Sequence, residues 1–245
     1  MHRRFSLTAI SSLVFLGLST AGPSALAQAG PDIFVTPVPH APFRGMVKVE
    51  RSIVQPDGSV LRLKTAREIA RDSRGRIRNE SRSMVPFSSN QGPQIVRIHL
   101  FDPETRTSIM LDPQAHTFTS MTVNHPPATV PPRLLYASPT GSALPPNEFA
   151  KEEDLGMREL EGGPVHGVRE IQTVPADSSG VGKEIVVTDE YWYSDDLRIN
   201  MEIVHNDPRS GSVTMTVTQV TRSEPDAALF EIPEGYKRPT AGQMR

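Results

Sequence analysis

The chain reads as a mainly β protein with a single antiparallel domain, and three features point that way. Apolar and polar residues alternate over many short segments, tight-turn sequences separate those segments, and no long stretch carries helical periodicity. Such one-sided strands belong in antiparallel sheets with one face buried and one wet. Among 245 residues there are 23 prolines, and aromatics make up only 6%, which fits short elements joined by punctuated loops. The absence of cysteine excludes a disulfide scaffold and a Cys-ligated metal. With 26 Lys+Arg, 28 Asp+Glu and 37% hydrophobic residues, neither a polytopic membrane protein nor a chain disordered throughout is expected.

Residues 1–27 read as a signal peptide. His2, Arg3 and Arg4 form a charged start, Leu7 to Leu18 is largely apolar, and Ala25-Leu26-Ala27 predicts cleavage between Ala27 and Gln28. The apolar run is too short, and too interrupted by Ser and Thr, to span a bilayer. No cysteine follows it, so a bacterial lipid anchor is excluded. The expected product is soluble, not an integral membrane protein, and periplasmic in a Gram-negative bacterium or secreted. Its mildly acidic balance gives it no general attraction to nucleic acid.

Residues 28–44 carry Pro31, Pro37, Pro39 and Pro42, which lock φ and remove amide donors, so an extended N-terminal arm is expected. A β-rich domain is expected over 45–237, with a C-terminal tail at 238–245. In its first strands Val47, Val49 and Ile53 share one parity against Lys48, Glu50 and Ser52. Pro56-Asp57-Gly58 turns the chain, Leu61, Leu63 and Thr65 continue the alternation, and Asp72-Ser73-Arg74-Gly75 turns it again before Ile77. Asp102-Pro103-Glu104-Thr105 and Asp112-Pro113-Gln114-Ala115, ten residues apart, predict successive hairpins, with Val96, Ile98 and Leu100 forming an apolar face. Seven prolines in 126–147 predict an irregular segment that covers a cavity mouth or crosses between sheet halves. The charged stretch Asn147–Leu160 is read as a loop followed by a strand over Met157–Leu160. Val165–Val174, Glu184–Tyr193, Ile199–Ile203 and Val213–Val217 are further strands, separated by Pro175–Gly182, Ser194-Asp195-Asp196 and Asp207–Gly211. Glu224–Phe230 predicts one helical turn that folds Leu229 and Phe230 back onto the sheet.

The closing pattern runs Glu190-Tyr191-Trp192-Tyr193-Ser194, a strand, Asp207-Pro208-Arg209-x-Gly211, a strand, then Leu229-Phe230-x-Ile232-Pro233-x-Gly235-Tyr236. It resembles the end of the LolA/LolB-like, outer-membrane lipoprotein carrier-like superfamily of exported bacterial proteins. Arg71-Asp72-Ser73-x-Gly75-Arg76-x-Arg78-x-Glu80, Leu111-Asp112-Pro113, Glu153-Asp154-Leu155-Gly156 and Arg222-x-Glu224-Pro225 resemble phrases of an uncharacterised exported group common in Acidobacteria. The resemblance covers roughly Gly45 to Lys237. It implies a curved antiparallel sheet, an incomplete barrel with few short helices, around an apolar cavity suited to acyl chains. The chain departs from LolA in lacking an obvious helix before the first strand and in carrying a Pro-rich segment where LolA has a helical plug.

The seven histidines (His2, His40, His99, His116, His125, His166 and His205) form no helical pair and show no metal-ligand spacing, so neither metal nor cofactor is expected. No Gly-x-Ser-x-Gly elbow is present. The carboxylates of Glu152-Glu153-Asp154 and Asp195-Asp196 are adjacent rather than facing, since neighbours in a strand point to opposite faces. Trp192 is read as a core residue, on the face opposite Tyr191 and Tyr193. Between Val60 and His99, nine Lys and Arg residues stand against three acidic ones. Arg71, Arg76 and Arg78 are the candidate partner-binding basic face within that run; its other reading is a solvated sheet face. No individual ligand-binding or catalytic residue stands out. The expected function is therefore that of an exported, non-catalytic binding protein holding a lipid, acyl or other apolar ligand in the concave face of its sheet. The alternatives are a cell-envelope module that docks an envelope protein through its Arg-rich strands and, third, a hydrolase.

Overall fold

The computed structural model describes residues 32–124 and 149–239. The signal sequence with its expected Ala27–Gln28 cut, the Pro-rich segment 126–147 and the end of the C-terminal tail lie outside them. Twelve strands follow in chain order: β1 Phe43–Val54, β2 Val60–Arg71, β3 Ile77–Arg82, β4 Val85–Pro86, β5 Ile95–Asp102, β6 Thr107–Asp112, β7 Thr117–Thr122, β8 Ala150–Leu160, β9 Gly163–Val174, β10 Ile185–Ser194, β11 Ile199–Asp207 and β12 Gly211–Thr221. One short 3-10 turn, Ala227–Phe230, is the only helical element among the described residues.

All twelve strands join one antiparallel sheet in the order β7-β6-β5-β3-β2-β1-β12-β11-β10-β9-β8, with β4 attached to β2. The sheet is two meanders zipped together where the first strand pairs with the last. Its two edge strands are β7 and β8, which are consecutive in the chain, and among the described residues they do not pair with each other, so the barrel stays open. The turns form as their residues dictate. Asp102 Oδ1 accepts from Glu104 N at 2.9 Å, and Asp112 Oδ1 accepts from Gln114 N at 2.9 Å. Arg106 and His116, one in each turn, both take positive φ.

The sheet curls. Arg71 on β2 and Leu197 in the β10–β11 turn are three strand steps apart, roughly 14 Å in a flat sheet, yet Arg71 Nη2 donates to Leu197 O at 2.6 Å. At the other end of the C-terminal meander, Glu161 in the β8–β9 turn accepts from Val220 N near the end of β12 and from Arg222 Nη1 just after it.

The two faces of the sheet carry separate cores. Alternation along β1 sends Phe43, Val47 and Val49 inward, where they meet Ile69, Ile203, Met215 and Val217. Each fully buried aliphatic side chain of this set contributes about 1.5–3 kcal/mol. On the outer face Ile98, Leu100 and Leu111 are covered by Ile232 and Tyr236 of the segment after the 3-10 turn. That segment is fixed to β7 by paired bonds: Phe118 N donates to Lys237 O, and Lys237 N donates to His116 O. Phe230 is buried and Leu229 partly so.

The charged stretch after Asn147 is not a loop. β8 starts at Ala150, and its charges suit an edge strand: Glu153 pairs with Arg169 and Asp154 with His166 across the ladder. Gly156, at φ +74, sits where the register shifts past Leu155, so the glycine marks a bulge rather than a strand end.

Candidate functional site

The inner face is occupied by a segment that is not part of the sheet. Residues 32–42 form no strand, so their backbone groups find partners elsewhere, and their apolar side chains enter the core. Ile33 is 1% exposed and Val35 3%, packed in the same cluster as Phe43, Val47, Ile69 and Val217. Val35 N donates to Asn79 Oδ1 at 3.3 Å. Arg67 Nη2 donates to Ile33 O at 2.7 Å and pairs with Asp32 at 2.5 Å.

Arg71 is the centre of this arrangement. It is fully buried and donates three hydrogen bonds to backbone carbonyls: Nε to Ala41 O at 2.8 Å, Nη1 to Thr36 O at 2.9 Å and Nη2 to Leu197 O at 2.6 Å. Its guanidinium carbon lies 5.0 Å from the Phe43 ring centroid. No described carboxylate forms an ion pair with it, and burial pushes its pKa down to about 10.

Arg71, Arg76 and Arg78 therefore form no exposed basic face. Arg76 is held by Asp72 at 2.6 Å and by Glu231 at 2.9 Å, and it stands over the Phe230 ring. Arg78 is 9% exposed, bonded to Leu229 O and paired with Glu80 at 2.9 Å. Burial pushes the Glu80 carboxyl up, but the bonds from Arg82 and Arg78 outweigh it and hold the group below its ordinary value. Arg71 points inward, opposite Ile77, whereas Arg78 stands opposite Ala70 on the other face; Arg76, just before β3, shares the parity of Arg78, and both meet the 3-10 turn at Phe230 and Leu229. A solvated sheet face is equally far from what these three form: they staple the arm and the C-terminal segment to the sheet.

A second inner-face feature was missed by reading along the strands. Across the ladders Glu152 lies opposite Glu170, Glu170 opposite Asp189, and Asp189 opposite His205. The same row continues through Val213 and Arg51 to Leu63. His205 Nδ1 meets Asp189 Oδ1 at 2.8 Å. Desolvation, with Asp189 and then Glu152 nearby, raises Glu170 to about 7, so it is partly protonated at neutral pH. Glu152 thus does face another carboxylate; only the registers of β8, β9 and β10 reveal it. Among the described residues no group of three or more His, Asp or Glu could hold a metal ion.

Trp192 is buried, and so are Tyr191 and Tyr193. The Trp192 ring lies on Gly167, where an added Cβ would stand 2.5 Å from a ring carbon, and Arg158 stacks over it at 3.7 Å while pairing with Glu202. Its surroundings are those of a packed residue, with no room for a stacked ligand on either side. His99 Nε2 lies 2.9 Å from Ser108 Oγ. A Ser–His pair needs a third group to orient the base, and no carboxylate bond to His99 is present among the described contacts. On the outer side, Arg76, Leu100, Asp102, Ile109, Phe230 and Glu231 border a cleft of about 180 Å³.

No family model and no curated protein matches the chain. Among solved structures it is similar to the MucA/MucB complex of Pseudomonas aeruginosa, at 12% identity and TM-score 0.39, over 78% of this chain and 55% of that one. It is also similar to a LolA superfamily protein of Nitrosomonas europaea, at 9% identity and TM-score 0.31, over 79% and 91%. A third is lipoprotein LppX of Mycobacterium tuberculosis, at 13% identity and TM-score 0.28, over 74% and 88%. The chain spans little more than half the length of the first of these. The architecture is an open antiparallel barrel. At these scores the likeness carries no statement about what this chain binds, and the narrower acidobacterial resemblance rests on its motifs alone. Among the described residues no helix is long and apolar enough to cross a membrane.

Proposed function

We propose that the chain is an exported, non-catalytic binding protein that holds an acyl chain or similar apolar ligand against the inner face of its open sheet. The observation that carries this reading is the arm: the inner face takes in an extended, irregular segment and buries Ile33 and Val35 almost completely. Apolar surface continues beyond the arm. Ile53 and Leu63 are partly exposed, and Leu61 is 41% exposed, on the same inward parity as Val47 and Val49. A sheet that closes on neither edge leaves such a face reachable from solvent. Native mass spectrometry after gentle purification tests the reading, with organic extraction to identify the bound species. A co-purifying apolar mass is expected, and its loss on substituting Leu61→Glu and Leu63→Glu places it on this face. Protein that is always empty, and that takes up no acyl chain when offered one, contradicts it. Export is tested separately, by N-terminal sequencing of the processed chain, which is expected to begin at Gln28.

A further inference from the structure

Arg71 is a cation in an apolar interior whose acceptors are all neutral carbonyls, two of them, Thr36 O and Ala41 O, lent by the arm. Its neighbour Arg67 has a carboxylate, Asp32. Neutral carbonyls satisfy the N–H groups of a guanidinium but leave its charge uncompensated, whereas a carboxylate supplies the missing charge and two oxygens that match the guanidinium fork. The arm's side chains have the complementary character: Ile33 and Val35 lie as a short apolar string along Phe43, Val47, Ile69 and Val217. An apolar string beside an uncompensated guanidinium is the outline of a fatty carboxylate.

We infer that the arm is an exchangeable occupant of the inner face, and that it gives way to a single-chain fatty carboxylate. The head group takes Arg71 in place of the carbonyls of Thr36 and Ala41, and the tail takes the floor that Ile33 and Val35 vacate. This rests on the apolar-ligand reading and adds to it the head-group chemistry and the displaced segment. The arm is suited to exchange because no strand ladder holds it. Its described anchors are Arg67, Arg71, Asn79, the bond from Thr36 Oγ1 to Arg198 O and the bond from His40 N to Ser73 O.

The test compares dodecanoate with 1-dodecanol by isothermal titration calorimetry on the full processed chain, and on an Ile33→Ser/Val35→Ser variant whose weakened arm leaves the sheet untouched. The wild type is expected to prefer dodecanoate about ten-fold, the effect of one charge-assisted pair. The arm variant should bind dodecanoate several-fold more tightly, because less of the binding energy is used to displace the arm. Arg71→Met should abolish the head-group preference; if that variant does not fold, the two-ligand comparison on wild type and arm variant still decides. Equal affinity for acid and alcohol overturns this inference while leaving the apolar-ligand reading intact. A preference for dodecanoate that the arm variant leaves unchanged also overturns it, since the ligand would then lie elsewhere on the sheet. Binding of neither compound to either protein overturns both.

Discussion

Two parts of the same inner face bury charge in opposite ways. On β2, Arg67 and Arg71 point inward and meet an irregular segment whose carbonyls have no strand partner. Each solves the other's difficulty, because guanidinium supplies several N–H donors in a fixed fork and the arm supplies acceptors. On β8 to β11, Glu152, Glu170, Asp189 and His205 stand in one cross-strand row. There the neighbouring strands pair on both sides of β9 and β10, so ladder bonds use the backbone N–H groups and none turns toward the carboxylates. The carboxylates are left with each other and one histidine, and protonation of Glu170 is the remaining relief. Inward charge is thus tolerated where irregular backbone lies against it and is titrated where only regular sheet does.

The comparison breaks most visibly at Arg71. Arg71→Ala strands three carbonyls in the interior and opens a cavity, and is expected to cost about 3 kcal/mol or more in a urea titration; a loss below ~1 kcal/mol would mean that the carbonyls find water. Ile33→Ala is next, at about 2 kcal/mol. It should also make the arm the first site of limited proteolysis while the circular dichroism of the sheet is kept.

The acidic row gives a smaller effect with a defined sign. Between the ordinary glutamate value and about 7, folded Glu170 holds a proton that the unfolded chain has released. Its contribution therefore falls as pH rises through that window and is recovered on acidification. Glu170→Gln should flatten the pH dependence between about 5 and 7.5, raising stability at the upper end by on the order of 1 kcal/mol after allowance for solvent screening. Thermal melts at several pH values measure it, and an unchanged slope would remove Glu170 from the account. Glu153→Gln, at the exposed rim, should change stability by no more than about 0.5 kcal/mol, since Arg169 keeps Glu190 at 2.8 Å.

The strands and turns were legible because their causes are local. Asp102-Pro103 and Asp112-Pro113 carry their turns in their own side chains, and the alternation of Val47, Val49, Leu61 and Leu63 marks the faces directly. β8 was misread because Glu152 to Asp154 and Gly156 look like loop residues, whereas an edge strand with a bulge uses the same residue types. The arginines were misread for a longer-range reason. Parity puts Arg67 and Arg71 on the face of Ile69, but their burial depends on an arm some thirty residues earlier in the chain. The acidic row depends on the registers of β8 to β11, which no single strand contains.

The central claim is that the arm sits on the inner face and yields it to a ligand. Amide hydrogen exchange at Val35, whose N–H is held by Asn79, tests both halves at once. The account predicts strong protection in the ligand-free chain and faster exchange at Val35 in dodecanoate, with β1 amides unchanged. Exchange at the rate of an unstructured peptide without ligand, or protection that dodecanoate does not alter, would contradict it.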